Sequence, residues 1–264
     1  MKTIVNISLG PSKDDYEFTP RFMGKNFRII RIGTDGNLEK MADLLEQWDN
    51  RADMIGLGSI QFPFSLGPKQ MAEKDTQTLY QLAAKLTTPF TTGDSLRSVG
   101  HEWTIRHLQY SFGNNYFNNS RVVFFSGMIN SATAAAISEY TSNLKFCDPI
   151  LEHGIPKFLN SIGDLKLYAI DLHSVLKWVP TRSISNFAMP LRAYNEFIIQ
   201  KALQQANIVV IPYFNFFKYM RHCGYRELNG KTVITATAYD DRVKFLKERG
   251  VDVIIDSTPK ILEN

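Results

Sequence analysis

Three groups of residues in this chain are of types that do chemistry, and none completes a catalytic signature. The first is a set of lysines and a carboxylate. Lys13 and Asp94 stand in the turns Gly10-Pro11-Ser12-Lys13-Asp14 and Thr91-Thr92-Gly93-Asp94-Ser95, each after a short extended run, and Lys69 follows a similar run ending Gly58-Ser59-Ile60-Gln61. A lysine beside a carboxylate exchanges a proton with a substrate hydroxyl when burial and the neighbour tune its pKa. Lys69 and Asp94 are therefore the candidate catalytic pair, with Ser12, Lys13, Ser59 and Thr92 as candidate substrate contacts. An ordinary surface role is the competing reading for each charged residue.

The second group follows the apolar run Val122-Val123-Phe124-Phe125 and reads Ser126-Gly127-Met128-Ile129-Asn130-Ser131-Ala132-Thr133-Ala134. A helix opening here presents free N–H groups and its positive dipole end to an anion. Ser126, Gly127, Asn130 and Ser131 are thus candidate ligands of a phosphate-bearing cofactor, NAD or NADP. The run has one glycine where the dinucleotide fingerprint has three, and close packing of small residues against a sheet accounts for the same text. Asp148 falls near the end of the next strand, where a ribose would be bound; an aspartate before Pro149 is also a common turn residue. Thr235 and Thr237 end a later strand, Asp256-Ser257-Thr258 another, and both turns would face the same crevice. Helix capping by Thr237 or Asp240 is the simpler explanation there.

The third group is histidine and cysteine. Cys147 and Cys223 form no CxxC or zinc-type pair. His101 and His107 are six apart, off one chelating face of a helix, and His173 lies in an apolar helical stretch as packing residues do. No metal site is expected. The chain carries no Ser-His-Asp order, GxSxG elbow or P-loop, so hydrolase and NTPase readings have no support.

Composition sets the frame for these residues. With 264 residues, 44% hydrophobic and 21% charged, the chain has enough material for one large or two modest domains. No apolar run reaches the ~18 residues of a membrane span, and the N-terminus lacks a leader pattern, so a cytoplasmic protein is expected. Net charge is +4, with the basic excess in residues 121–264. No Lys/Arg run has nucleic-acid density. The expected partner is a small molecule, with a homodimer as a further expectation.

The elements that must hold these groups alternate between extended and helical periods. In the first part, strands are expected at Ile4–Leu9, Tyr16–Thr19, Phe27–Ile32 and Met54–Ile60, with a hairpin turn at Met23–Asn26 and a helix from Leu38 to Trp48 capped by Asn37. A helix over Ala72–Leu86, an extended Phe90–Ser95 and a long helix opened by Ser95 follow. The polar Asn114-Asn115-Tyr116-Phe117-Asn118-Asn119 stretch is expected as a linker, 114–120. Beyond it come a β-α-β unit over Val122–Cys147, an insertion at about 150–190, then helix 191–205, strand 208–211, helix 214–223, strand 232–236, helix 240–248 and strand 251–255. This order predicts α/β architecture with two units, residues 1–113 on the substrate side and a Rossmann-like doubly wound, mainly parallel sheet in 121–264.

The chain also resembles a group of bacterial proteins described as quinate or shikimate 5-dehydrogenase-like. The resemblance rests on Ile7-Ser8-Leu9-Gly10-Pro11-Ser12-Lys13, Ile29-Ile30-Arg31-Ile32-Gly33-Thr34-Asp35-Gly36, Ile55-Gly56-Leu57-Gly58-Ser59-Ile60 and Asn229-Gly230-Lys231-Thr232-Val233-Ile234-Thr235-Ala236-Thr237. It implies NAD(P)-dependent oxidation of a ring hydroxyl, with a Rossmann-like cofactor domain and an N-terminal substrate domain. The degraded glycine run departs from that pattern. A non-catalytic ligand-binding or regulatory protein on the same scaffold is the alternative.

Overall fold

A computed structural model describes residues 1–58, 74–176, 191–213 and 216–258 of the chain. Its contacts separate two units, 1–58 with 74–96 and 97–258 among the described residues.

The first unit is built around strand β1 (Lys2–Ser8), whose Val5 and Ile7 alternate with Asn6 and Ser8. β2 (Tyr16–Phe18), β3 (Arg21–Phe22), β4 (Lys25–Gly33), β5 (Met54–Gly58) and β6 (Phe90–Thr91) complete it, in the order β2-β4-β1-β5-β6 with β3 hairpinned onto β4. β1 pairs in parallel with β4 and β5, while β2 is antiparallel to β4. Helices α1 (Leu38–Trp48) and α2 (Lys74–Ala83) bury Met41, Leu45, Leu79 and Ala83 against Val5, Ile7, Ile30, Ile55 and Leu57. α1 starts where expected because the Asn37 side-chain Oδ1 accepts the Lys40 N–H at 2.9 Å.

Helix α3 (Asp94–Ser111) begins one residue earlier than Ser95 would make it. The hydroxyls of Thr91 and Thr92 accept the N–H groups of Gly93 and Asp94 in the turn that leads into it. The boundary between the units falls inside this helix, after Leu96. Segment 114–120, expected as a linker, packs within the second unit. The Gln109 side chain accepts the Phe117 N–H at 2.8 Å and donates to Asn114 and Asn118, and the Phe117 ring is fully buried.

The second unit is a Rossmann-like five-stranded sheet, all parallel, in the order β11-β10-β9-β7-β8. Its strands are β7 (Val122–Phe124), β8 (Leu144–Phe146), β9 (Ile208–Val210), β10 (Thr232–Thr235) and β11 (Val253–Asp256). In chain order this is the 2-1-3-4-5 arrangement, with its switch point between β7 and β9. The six-stranded dinucleotide sheet has a further parallel strand beyond β8; here Leu159 makes an isolated antiparallel bridge to Phe146 instead.

Helices cover both faces. On one side α4 (Ser131–Ser138) and α6 (Ile162–Leu176) join α3 over Val122, Phe124, Phe146, Ile208 and Val210. On the other α5 (Asp148–His153), α7 (Arg192–Gln205), α8 (Phe216–Met220), α9 (Tyr225–Leu228) and α10 (Asp240–Lys247) enclose Val123, Phe125, Val209, Ile211 and Val233. Leu165 of α6, within the segment expected as an insertion at about 150–190, is fully buried and packs into the core. Among the described residues no helix is long and apolar enough to cross a membrane.

The β3–β4 hairpin turns on two residues, Met23 at φ 48° and Gly24 at φ 76°, between the paired Phe22 and Lys25. Two positive φ angles define the type I′ turn, which favours Asn-Gly, and methionine there has its Cβ against the carbonyl. Met23→Asn is expected to stabilise the protein by roughly 0.5–1 kcal/mol, read as a higher urea midpoint at constant slope. An unchanged or lower midpoint would show that the turn holds no strain.

Candidate functional site

The β7–α4 turn brings Ser126, Gly127 and Asp148 together, as their sequence positions suggested, but with one another as partners. Asp148 is fully buried at the start of α5, after β8. One carboxylate oxygen accepts the Gly127 N–H at 2.8 Å; the other accepts the Met128 N–H at 3.0 Å and the Ser126 hydroxyl at 3.1 Å. These N–H groups belong to the turn that cradles a diphosphate in a dinucleotide site. Here an aspartate of the chain fills that position. Asp148 thus does not reach toward a ribose, and the sequence-based role is corrected by its burial.

Burial pushes the Asp148 carboxyl up to about 6, because the loss of water outweighs the hydrogen bonds from Gly127, Met128 and Ser126. Gly127 serves packing: a Cβ there would run into the Phe146 ring and the Leu165 side chain. Asn130 turns inward, its amide donating to the Ser126 carbonyl at 2.9 Å, and Ser131 is buried at the first position of α4. Tyr168 and Tyr219 close the surroundings from outside, bonded to His153 at 2.7 Å and Glu152 at 3.4 Å.

A second carboxylate repeats the device at the far strands. Asp256 accepts the N–H groups of Thr237 at 2.8 Å, Ala238 at 3.0 Å and Thr258 at 2.9 Å. Burial acts to raise its pKa, but these bonds outweigh it and hold the carboxyl below the ordinary value. Thr237, at φ 62°, is locked by this contact, and Arg242 donates to its carbonyl. Neither Thr237 nor Asp240 caps α10, whose cap position is Tyr239 without a side-chain bond. Thr235 is buried, with its carbonyl accepting the Ser257 N–H.

His101, considered in the sequence only as a chelator, is the ionisable ring that α3 places beside these turns. It is nearly buried and its Nδ1 lies 3.4 Å from the Thr133 hydroxyl of α4. Burial, reinforced by the charge of Arg97 and only partly offset by Asp256, lowers its pKa to about 4, so the imidazole is neutral at physiological pH. Buried positions 101, 105 and 109 give the helical period that would have flagged it.

In the first unit, Ser12 donates its N–H and hydroxyl to Asp35, both at 2.8 Å, and Lys13 sits exposed in a short 3-10 turn, Ser12–Asp14. The Thr92 hydroxyl lies 3.2 Å from Asp94. Lys69 and Ser59 lie outside the described residues, so the expected lysine–carboxylate pair has no geometry here. On the face of β1 opposite the α1–α2 core, Asn6 and Ser8 stand in register with Gly56 and Gly58. A Cβ on Gly58 would fall 2.7 Å from Asn6 Oδ1, an acceptor that is buried without a hydrogen-bond partner. Among the described residues no three His, Cys, Asp or Glu side chains could hold a metal ion.

The Asp148 geometry has a signature in pH. The folded chain binds this proton more tightly than the unfolded chain, whose ordinary value is 3.8. The group's contribution to stability is therefore full below the unfolded value and is lost as pH rises through about 6. Its size is about 3 kcal/mol. Asp148→Asn removes the titration and sets an amide N–H2 against an N–H, a cost that does not vary with pH. In urea unfolding between acid and neutral pH, the advantage of wild type over the variant should shrink as pH rises; a constant difference would uncouple Asp148 from folding.

Comparison with known proteins adds fold and family. No curated protein matches the chain. Among solved structures the A chain of dipicolinate synthase from Bacillus subtilis is similar, at 9% identity and a TM-score of 0.35, over 98% of this chain and 88% of that one. Neither this match nor the family matches point to a quinate or shikimate dehydrogenase. Residues 3–92 match a domain of unknown function, DUF8753. Over residues 95–264, which include the whole second sheet, the chain matches and belongs to the family described as a domain of unknown function, DUF8754.

Proposed function

We propose that the protein binds a small hydroxylated or carboxylated molecule at the carboxyl ends of its strands and does not dock a dinucleotide in the β7–α4 turn. One observation carries this reading: the N–H groups of Gly127 and Met128 are committed to the buried Asp148 carboxylate. Above about pH 6 that group is charged, and a diphosphate brought to the same donors would meet a like charge in a medium that screens it poorly. The turn as built does not fit the diphosphate of NAD or NADP. Open α/β sheets bind ligands outside the carboxyl ends of their strands, which leaves the turns after β10 and β11, with Thr237 and Thr258, to face a smaller molecule.

The second reading is an NAD(P)-dependent oxidoreductase acting on a quinate- or shikimate-like hydroxy acid. The neutral His101 beside Thr133 favours it, since an uncharged imidazole near strand ends is a group that accepts a proton from a hydroxyl. Thermal-shift titration separates the two. A ligand at a hundred times its Kd stabilises the fold by about 2.7 kcal/mol. The expected result is no shift with NAD, NADH, NADP or NADPH and a shift with members of a hydroxy-acid panel. A shift with either nucleotide pair would overturn the leading reading and favour the oxidoreductase.

A further inference from the structure

The amino ends of the second sheet carry a cavity of their own, at the opposite ends of the strands from Asp148. α4 runs back from the carboxyl end of β7, so Glu139 and Tyr140, just past its last turn, arrive at the amino end of β8. Segment 114–120 enters β7 from the same side. The last turns of α3 bring Arg106 and Tyr110 to it, and the three elements enclose a groove of about 400 Å³. That volume lies within the ~300–1,000 Å³ of small-molecule clefts. All of its lining belongs to the second unit.

The polar groups of the groove divide into those the fold has used and those it leaves open. Gln109, itself buried, is used: it accepts the Phe117 N–H and donates to the Asn114 carbonyl at 2.6 Å and to Asn118 Oδ1 at 2.8 Å. That last bond fixes the Asn118 amide and leaves its N–H2 as a donor without a hydrogen-bond partner among the described residues. The Asn114 amide is open in the same way, on a backbone held at φ 63°. Arg106 donates to one oxygen of Glu139 at 2.7 Å, and the other oxygen is open. The Tyr140 ring lies against the buried Phe117 ring at 6.3 Å and 27°, which sets it in place, and Tyr110 is 75% exposed at the rim.

We infer that this groove is a second ligand site and that it takes an uncharged, saturated, polyhydroxylated ring, a pyranose sugar or a cyclitol. Charge narrows the class first. Arg106 is matched by Glu139 at 2.7 Å and faces Glu102 at 3.5 Å, so an anion entering here meets a carboxylate and a cation meets the guanidinium. Hydrogen-bond chemistry narrows it further. The groove sets a carboxylate acceptor beside guanidinium and amide donors, and a hydroxyl is both donor and acceptor, so neighbouring hydroxyls satisfy both kinds at once. These groups come from α3, from the 114–118 loop and from the end of α4. A ring with hydroxyls around its whole rim meets all three, whereas a flat nucleobase carries its polar atoms along its edges and needs a stacking slot. The C–H face of a saturated ring is apolar and packs on a tyrosine ring, whose own hydroxyl stays in water. This site shares no residue with the strand-end turns, and neither reading needs the other.

The test is saturation-transfer NMR on the full chain with the methyl pyranosides of glucose, galactose and mannose and with myo-inositol, beside adenosine and glucuronate, followed by titration of the tightest binder. At least one of the four neutral rings is expected to bind, and to bind more tightly than adenosine or glucuronate. Tyr110→Ala and Glu139→Gln should each weaken that binding about ten-fold. Both side chains are exposed, so the circular dichroism spectrum should stay unchanged. Any thermal shift produced by hydroxy acids should persist in both variants, because those ligands are placed at the other ends of the strands. The absence of binding by all four neutral rings overturns the proposal. So does binding that survives both substitutions, or tighter binding of adenosine or glucuronate.

Discussion

The carboxyl ends of the second sheet depend on one buried carboxylate. Asp148 ties the turn after β7 to the turn after β8 by three donors on one side and its own helix on the other. Without an acceptor at that point, the N–H groups of Gly127 and Met128 would face the interior unpaired, at about 1–3 kcal/mol each. The charge costs stability through desolvation, which its raised pKa records, but it gives both donors a partner in a place water does not reach. The packing follows from this: Gly127 can lie against the Phe146 ring because the turn is held from the opposite side.

The same solution recurs along the chain, which points to a general constraint. Parallel strands end in turns whose N–H groups lack ladder partners. Asp49 receives the N–H groups of Thr87 and Thr88, Asp53 that of Thr3, Asp15 that of Gly33, and Asp256 those of Thr237, Ala238 and Thr258. Apart from the bond between Asp256 and Thr258, each link joins segments distant in sequence. In the first unit these links lie at the ends of a sheet packed by α1 and α2; in the second they hold a sheet packed on both faces.

Local chemistry was legible in the sequence and distant pairing was not. The Asn37 cap, the β1 alternation and the β7-α4-β8 unit all depend on neighbours within a few residues, and the structure has them where the pattern put them. The polar run at 114–120 reads as a linker by composition, but the Gln109 side chain binds it down and Phe117 enters the core. Helix α9, four residues long, is too short to show a period. Asp148 and Ser126 could be named as site residues because strand ends are recognisable, yet nothing in their spacing tells that the carboxylate turns back into the protein. His101 was hidden for the opposite reason, since its partner Thr133 is thirty-two residues away.

The boundary between the units, set inside α3, bears on how such a chain can change. The two family matches end at residue 92 and begin at 95, at the first turn of this helix, and Leu96 and Arg97 fall in different units. A loop junction absorbs an inserted residue, but a helix turns it into rotation of 100°. One extra residue after Leu96 would swing that side chain off the line of Val99 and Trp103. Exchange of the two halves between relatives is therefore constrained to junctions that keep the number of residues in α3, and length variation should accumulate in the turns on either side of it.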